Sequence, residues 1–449
     1  MPQATTLEEA IKNLSHEPLT DGRFVDFFVD TMDARGGDET YLVLKRAMNA
    51  DKLGSKHYLF TGAKGCGKST ELTRLQETLT DFLVINFSVR DELDVYNFTH
   101  TELLIATMKK LFEAAKDDNI EVDEKYLTLV MNWVEKVDIQ ITNTTGVGVD
   151  AKAGVSAKGG FLKIFNVFAE LSSRAKYDNE VKETIKRTGD NLISQLIDNS
   201  NLLITEIKNS LQKANKGLLI IIEDLDKLDL KQGEELFLNY ANRLKALNVN
   251  TIYTYPVSLK YNSKASLVWS TFDDAFLLPM IKTHTKSGEP YIAGGQTVLK
   301  EVLEKRMSHS LFESEELEMK FIKYSGGVIQ DLFRFVKDAA NFAMNRNRAV
   351  INQTDWDKAL NRSIDNYRSM VSDRVENNKV VVAASDYYNT LVKVAESKNK
   401  QPENTMVELE LRQNLCVLGY NSEGWIDVHP IVKEILIQKE LISNDYQIK

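Results

Sequence analysis

Apolar and polar positions divide the 449-residue chain into segments of two different periods. Short runs that are apolar almost throughout stand at Tyr58–Phe60, 82–89 ("FLVINFSV"), Leu218–Ile222, 251–259 ("TIYTYPVSL") and 276–281 ("FLLPMI"). Strands buried on both faces of a parallel sheet read this way. Between them the spacing changes to the three-and-four pattern of amphipathic helices, at 39–50, from Lys68 to Leu79, at 97–116 and at 232–247. Strands alternating with helices predict an α/β core, a parallel sheet with helices on both faces. Residues 297–365 are helical in pattern, and Gly326-Gly327 parts two of the helices. From 380 the pattern is helix, helix, then "GWIDVHPIVKEILIQKELI".

Nearly 100 residues (118–216) separate the second strand from the third. Val147, Val149, Ala151, Ala153, Val155 and Ala157 alternate with Gly148, Asp150, Lys152, Gly154, Ser156 and Lys158, a period of two with one small apolar face. Small side chains and glycines make such a strand or hairpin weak in register. Residues 178–215 read as one long amphipathic helix with Ile185, Leu192, Ile193, Leu196, Ile197, Leu202, Leu203, Ile207 and Leu211 along its seam. Three readings fit the insertion: a helical hairpin packed on the core, an arm for oligomerisation or partner binding, and a hairpin that enters a membrane. Its lysines and small apolar area weigh against the third.

Chemistry enters at residues 57–72, "HYLFTGAKGCGKSTEL". Gly62-Ala63-Lys64-Gly65-Cys66-Gly67-Lys68-Ser69 is the GxxxxGK[ST] pattern, placed between a strand and a helix as the motif requires. The glycines are expected to take φ > 0, so that the N–H groups from Gly62 to Thr70 wrap phosphate oxygens. The helix starting near Lys68 adds its positive dipole end. Lys68 is expected at the β- and γ-phosphates and the Ser69 hydroxyl on Mg²⁺. Cys66 reads as a small space-filler whose N–H does the work.

A phosphate loop needs an acid on a neighbouring strand, and "GLLIIIEDLDKLD" (217–229) supplies three within four residues. Glu223 is expected to hold the Mg²⁺ shell and Asp224 to polarise the attacking water. A shift of one residue in register would hand the metal to Asp224. Asp226 reads equally well as a neighbour of these two or as the cap of the next helix. Thr254, at the end of its strand, could sense the γ-phosphate or simply bond to backbone.

Charge and composition narrow the setting. Hydrophobic residues make up 43% and charged residues 27%, the balance of a globular protein, and the length suits two or three domains. A net charge of −9 provides no global field for nucleic acid, although a local basic face stays open. Cys66 and Cys416 match no disulfide framework or zinc spacing. The N-terminus carries early acids and no apolar signal region, and no run of about 18 apolar residues occurs, so a cytoplasmic protein is expected.

"FTGAKGCGKSTEL" and "IIIEDLDKLD" resemble bacterial P-loop ATPases of the AAA+/STAND group, closest to KAP-like members, which also carry a long insertion before the acidic strand. "YSGGVIQDLFRFVKDA" and the C-terminal pattern resemble the lid and winged helix of origin-initiator ATPases and STAND proteins. The resemblance covers about 40–365 and the tail. It implies a lead-in segment at 1–40, a P-loop NTPase core at 41–296, a helical lid at 297–365 and a winged-helix-like domain at 366–449. Residues 19–30 could wall the adenine pocket. Initiator-type lids place an arginine after Gly-Gly, where Gln330 stands here, with Arg334 one turn on. The interval 255–281, where an arginine finger is usual, holds Lys260 and Lys264 but no arginine. Arg243, Arg306 and Arg334 remain candidates for a lid or trans contact.

The expected function is therefore ATP and Mg²⁺ binding with slow hydrolysis, ATP being favoured because no guanine-reading Asn-Lys-x-Asp motif stands near the usual place. The ATPase would act as a conformational or assembly switch, a homo-oligomer with a separate effector protein, as similar proteins do in bacterial anti-phage defence. The alternative is a DNA-binding initiator or transposition-type ATPase. About ten Lys/Arg against about twelve Asp/Glu in 366–449 disfavour it and suggest that this domain packs on protein.

Overall fold

The computed structural model describes residues 2–444 apart from 20, 37–39, 96, 121, 124, 127, 131, 134–135, 137–165, 167–168, 172, 175, 262, 377, 398 and 421–423. The period-two stretch at 147–158 lies outside the described residues.

Five strands, β1 (His57–Gly62), β2 (Phe82–Ser88), β3 (Gly217–Glu223), β4 (Asn250–Thr254) and β5 (Asp274–Leu278), form one parallel sheet in the order β2-β3-β4-β1-β5. This is the α/β sheet of a P-loop NTPase, with helices on both faces. The apolar run of β3 explains its central place. Leu219 and Ile221 enter the core shared with the lid, while Leu218, Ile220 and Ile222 enter the core on the opposite face. Each of these five is at most 1% exposed, and burying one such side chain is worth about 1.5–3 kcal/mol.

Two strands end earlier than their apolar patterns. Thr254 closes β4, and Val257–Tyr261 is a short helix, because Pro256 has no N–H for the ladder. Pro279 stops β5 at Leu278 in the same way. The helix expected at 232–247 is divided into Leu230–Glu234, a wide turn over Glu235–Asn239, and Ala241–Leu244. The predicted helices at 39–50 and 97–116 are Thr40–Ala50 and His100–Asp117; Thr99 and Glu102 cap the second reciprocally.

The insertion returns through a helix at Asn179–Lys213, capped by Asp178. Ile193, Leu196, Leu203, Ile207 and Leu211 are buried against the opposite-face core, whereas Leu202 is 45% exposed and lies off the seam. The Ile185 side chain lies outside the described residues.

Residues 2–36 are more than a lead-in. A helix at Leu7–Asn13 packs on the lid helix Ile329–Met344, and the Ala4 N–H donates to the Arg306 carbonyl at 3.0 Å. The lid comprises Thr297–Glu304, Glu315–Tyr324, Ile329–Met344 and Gln353–Met370. The last of these crosses the expected boundary at 365/366 and packs on the C-terminal helix Pro430–Gln438.

The C-terminal unit has the elements of a winged helix. A small hairpin, β6 (Arg374–Glu376) with β7 (Lys379–Val382), precedes helices Ala384–Glu396 and Met406–Gln413; a second hairpin, β8 (Val417–Tyr420) with β9 (Trp425–Val428), follows. Buried polar contacts tie it together and pin it to the core through His284 and to the lid through Gly326. Asp427 receives Lys400 at 2.6 Å, Lys433 at 2.8 Å and His284 at 3.0 Å. Burial alone would raise this carboxyl; the His284 hydrogen bond and the two lysines outweigh it and hold it well below the usual range. The Tyr420 hydroxyl donates to the Gly326 carbonyl at 2.9 Å.

Candidate active site

The sheet order sets β1 beside β4, with β3 next, and all three carboxyl ends open on one edge, where ligands of such sheets bind. The loop 62–67 leaves β1 there and enters the helix Lys68–Thr78. Gly65 (φ 70°) and Gly67 (φ 104°) adopt the left-handed conformation expected of them. Gly62 does not. It is needed for space, because a Cβ there would lie 2.9 Å from the Leu278 carbonyl oxygen and 3.0 Å from Cys66 Sγ. Cys66 is fully buried. Its carbonyl accepts from Arg35 Nη2 at 2.6 Å, and its side chain belongs to the buried apolar core.

Lys68 Nζ lies 2.9 Å from Asp226 Oδ2 and donates to the Gly62 and Ala63 carbonyls at 2.9 Å. Burial would lower the ammonium, but Asp226 outweighs it and raises the group above its ordinary value. Register places Glu223 opposite Ser88 of β2. Glu223 is hydrogen-bonded to Ser69 and accepts from Asn86 Nδ2 at 3.0 Å. Burial and the charges of Asp224 and Asp226 raise it above the ordinary carboxylate range, against those two hydrogen bonds. A buried acid held this way, beside the loop's serine, is a site that a cation would relieve.

Asp224 sits in the left-handed region (φ 70°), directly after the end of β3. It accepts from Ser88 Oγ at 2.7 Å and pairs with Lys227, with Arg90 Nε 3.8 Å away. Burial would raise it; the Lys227 and Ser88 hydrogen bonds hold it below its ordinary value. Thr254, fully buried, accepts from the Leu225 N–H at 3.1 Å and donates to the Ile222 carbonyl at 3.4 Å. Its hydroxyl braces the turn that carries the acids.

One cleft of about 890 Å³ collects Lys64, Gly65, Gly67, Lys68, Ser69, Thr70, Glu223, Asp224, Asp226 and Thr254. Leu19, Phe27 and Val29, from the stretch expected to wall a base, line it too, with Val302, Arg306 and Phe333 of the lid. The lid touches the loop directly: the Gln330 N–H donates to the Gly65 carbonyl at 3.3 Å, and a Cβ on Gly65 would strike Gln330.

The arginine candidates separate. Arg306 lies in the cleft, buried between the Phe27 and Phe333 rings with centroids at 5.0 and 4.8 Å; burial, reinforced by Arg23, lowers it to about 10. Arg334 pairs with Asp331 at 2.9 Å and Arg243 faces Ser194; neither lines the cleft.

Asn86, Ser88, Arg90, Arg35 and Gln413 are the site residues that sequence reasoning missed. Asn86 and Ser88 carried a usable signal, two polar side chains at period-two spacing on an apolar strand. Gln413 carried none: its amide donates to the Asp226 carbonyl at 3.3 Å from the far end of the chain. Among the described residues, no helix is long and apolar enough to cross a membrane.

No protein-family model matches the chain, and no curated protein matches it. Among solved structures it is similar to Cdc6p of Pyrobaculum aerophilum (12% identity, 92% of this chain and 99% of that one, TM-score 0.38). It is also similar to the ORC1 protein of Aeropyrum pernix in complex with DNA (13%, 94% and 97%, 0.38). A Walker-type ATPase of Pyrococcus abyssi matches at 13% identity over 94% of this chain and 99% of its own, TM-score 0.40. At these scores the likeness carries no weight for the site, and the fold assignment rests on this chain's own sheet order and phosphate loop.

Proposed function

We propose that the chain binds ATP with Mg²⁺ in this cleft, hydrolyses it slowly, and uses the cycle as a conformational or assembly switch. The observation that carries the reading is the meeting of Lys68 and Ser69 with Asp226 and Glu223 in one buried cluster. The loop N–H groups and Lys68 hold the phosphates, and Leu19, Phe27 and Val29 offer an apolar wall for the base. Ser69 and Glu223 would hold Mg²⁺, which supplies charge neutralisation for the transferred phosphoryl group. Asp224 orients the water. Because Ser88 and Lys227 keep its carboxylate ionised and weakly basic, it positions the nucleophile better than it deprotonates it, which suits slow turnover.

The switch follows from what touches the site. Phosphate on Lys68 competes with Asp226, whose own backbone carbonyl accepts from Gln413 of the C-terminal unit. The lid meets the loop at Gln330. Both distal units can thus respond to the nucleotide. Homo-oligomerisation and a separate effector, in a defence setting, remain supported by the motif resemblance alone.

A DNA-handling ATPase is the second reading, favoured by the winged-helix elements. Opposing it, the helix before the β8–β9 hairpin is turned inward. Glu408, Leu409, Leu411 and Arg412 are buried, and Arg412 lies 4.4 Å over the Tyr261 ring of the core. Particle mass with and without a non-hydrolysable ATP analogue tests the switch, with Lys68→Ala as the non-binding control. A nucleotide-dependent change in mass or hydrodynamic radius is expected. No change despite saturated binding would sink it, and tight, salt-dependent duplex binding in a gel shift would favour the DNA reading.

A further inference from the structure

The interval that usually carries an arginine finger has none, yet an arginine stands at the acids from another direction. Arg90 follows directly on β2, in the four-residue turn Val89–Glu92. Hydrogen bonds on both its N–H and its carbonyl hold its backbone beside the acidic turn. The Arg90 N–H donates to Ser88 Oγ at 3.1 Å, and the same hydroxyl donates to Asp224. Lys176, on the return of the insertion, donates to the Arg90 and Asp91 carbonyls at 3.1 and 2.9 Å. The side chain itself is 49% exposed, with Nε 3.8 Å from Asp224 Oδ2.

Arg90 also stands where two cavities meet. It lines the cleft of the phosphate loop and an adjoining one of about 740 Å³, and both are lined by Lys64, Asp226 and Lys227. The other arginines of the cleft are committed elsewhere. Arg35 is buried on the Cys66 and Pro279 carbonyls, and Arg306 is held between two phenylalanine rings.

Resting on the ATPase reading above, we propose that Arg90 is the arginine finger of this protein, supplied in cis: on ATP binding its guanidinium leaves Asp224 and contacts the transferred phosphoryl group. Three features carry it: anchored backbone, half-free side chain, and position beside the water-orienting acid. The guanidinium neutralises charge that develops as the bond between the γ-phosphorus and the bridging oxygen breaks and the water oxygen bonds to phosphorus. The water's proton passes to the released phosphate, and ADP departs.

The test uses the full chain as Arg90→Ala and Arg90→Lys. Three quantities are read: ATP affinity, phosphate release, and stable trapping of ADP with fluoroaluminate, a mimic of the transferred phosphoryl group. Both variants are expected to bind ATP within about threefold of wild type, to release phosphate at least about 10²-fold more slowly, and to fail to trap ADP–fluoroaluminate. Added guanidinium should restore part of the Arg90→Ala rate. Arg90→Lys separates this role from simple pairing with Asp224, since lysine keeps a cation there but not the fork geometry. Wild-type rate or full trapping in Arg90→Ala, or loss of ATP binding in it, overturns the assignment of Arg90 alone. A wild type with no phosphate release overturns the hydrolase reading on which it rests.

Discussion

Lys68 and Asp226 form the buried ion pair at the centre of the candidate site. The Lys68 ammonium is almost fully buried and relies on Asp226. Removing one partner of a buried pair costs about 3–5 kcal/mol, because the other charge is stranded. Asp226→Asn should therefore lower the unfolding midpoint of the nucleotide-free protein. It should also enlarge the stabilisation by ATP and tighten binding by about tenfold, since phosphate no longer competes with a carboxylate. Thermal unfolding and a binding titration check both, and weaker binding would show that Asp226 itself holds the ligand. At this scale the sequence was readable where a motif fixes the chemistry. Lys68, Ser69 and Glu223 are found together as their spacing implied. Thr254 and Asp226 each fitted two readings, because a strand-end hydroxyl or a turn carboxylate finds its partner only in three dimensions. Gly62 shows a subtler limit: its type was right, but the reason is the Leu278 carbonyl, a neighbour from a distant strand.

Elements were legible where period and length agree. The five strands follow from continuous apolar runs, and the long helix Asn179–Lys213 from a seam in which, among the described residues, only Leu202 turns outward. Strand ends were misread at Pro256 and Pro279, where apolar side chains continue but the ladder loses its donor. Burial within an element also predicts behaviour. His57 begins β1, is 1% exposed, and stacks on Tyr253. Burial, with Lys245 nearby, lowers its imidazole from 6.5 to about 4. The unfolded chain thus takes up a proton that the native protein refuses between these values. His57 leaves stability intact above pH 6.5 and removes it as pH falls toward 4, on the order of 2–3 kcal/mol. Guanidinium unfolding at pH 7 and 4.5 should show this loss in wild type and a smaller one in His57→Leu; equal losses would place the proton elsewhere.

Over the whole molecule, apolar patterning separated core, lid and tail but not how tightly they join. Residues 2–36 are stitched to Arg306 and Met307 of the lid, and the lid and C-terminal unit share one core. Such contacts join residues 300 positions apart and leave no local trace. In this molecule the acidic turn touches a C-terminal glutamine and the phosphate loop touches the lid, the two contacts through which the proposed switch would act. That account stands on turnover by Asp224. The direct measurement is phosphate release by wild type beside Asp224→Asn, with Lys68→Ala as blank. Slow, Mg²⁺-dependent release by wild type is predicted, with Asp224→Asn at the blank level while still binding ATP. Wild-type release no faster than the blank, or equal release by Asp224→Asn, would contradict it.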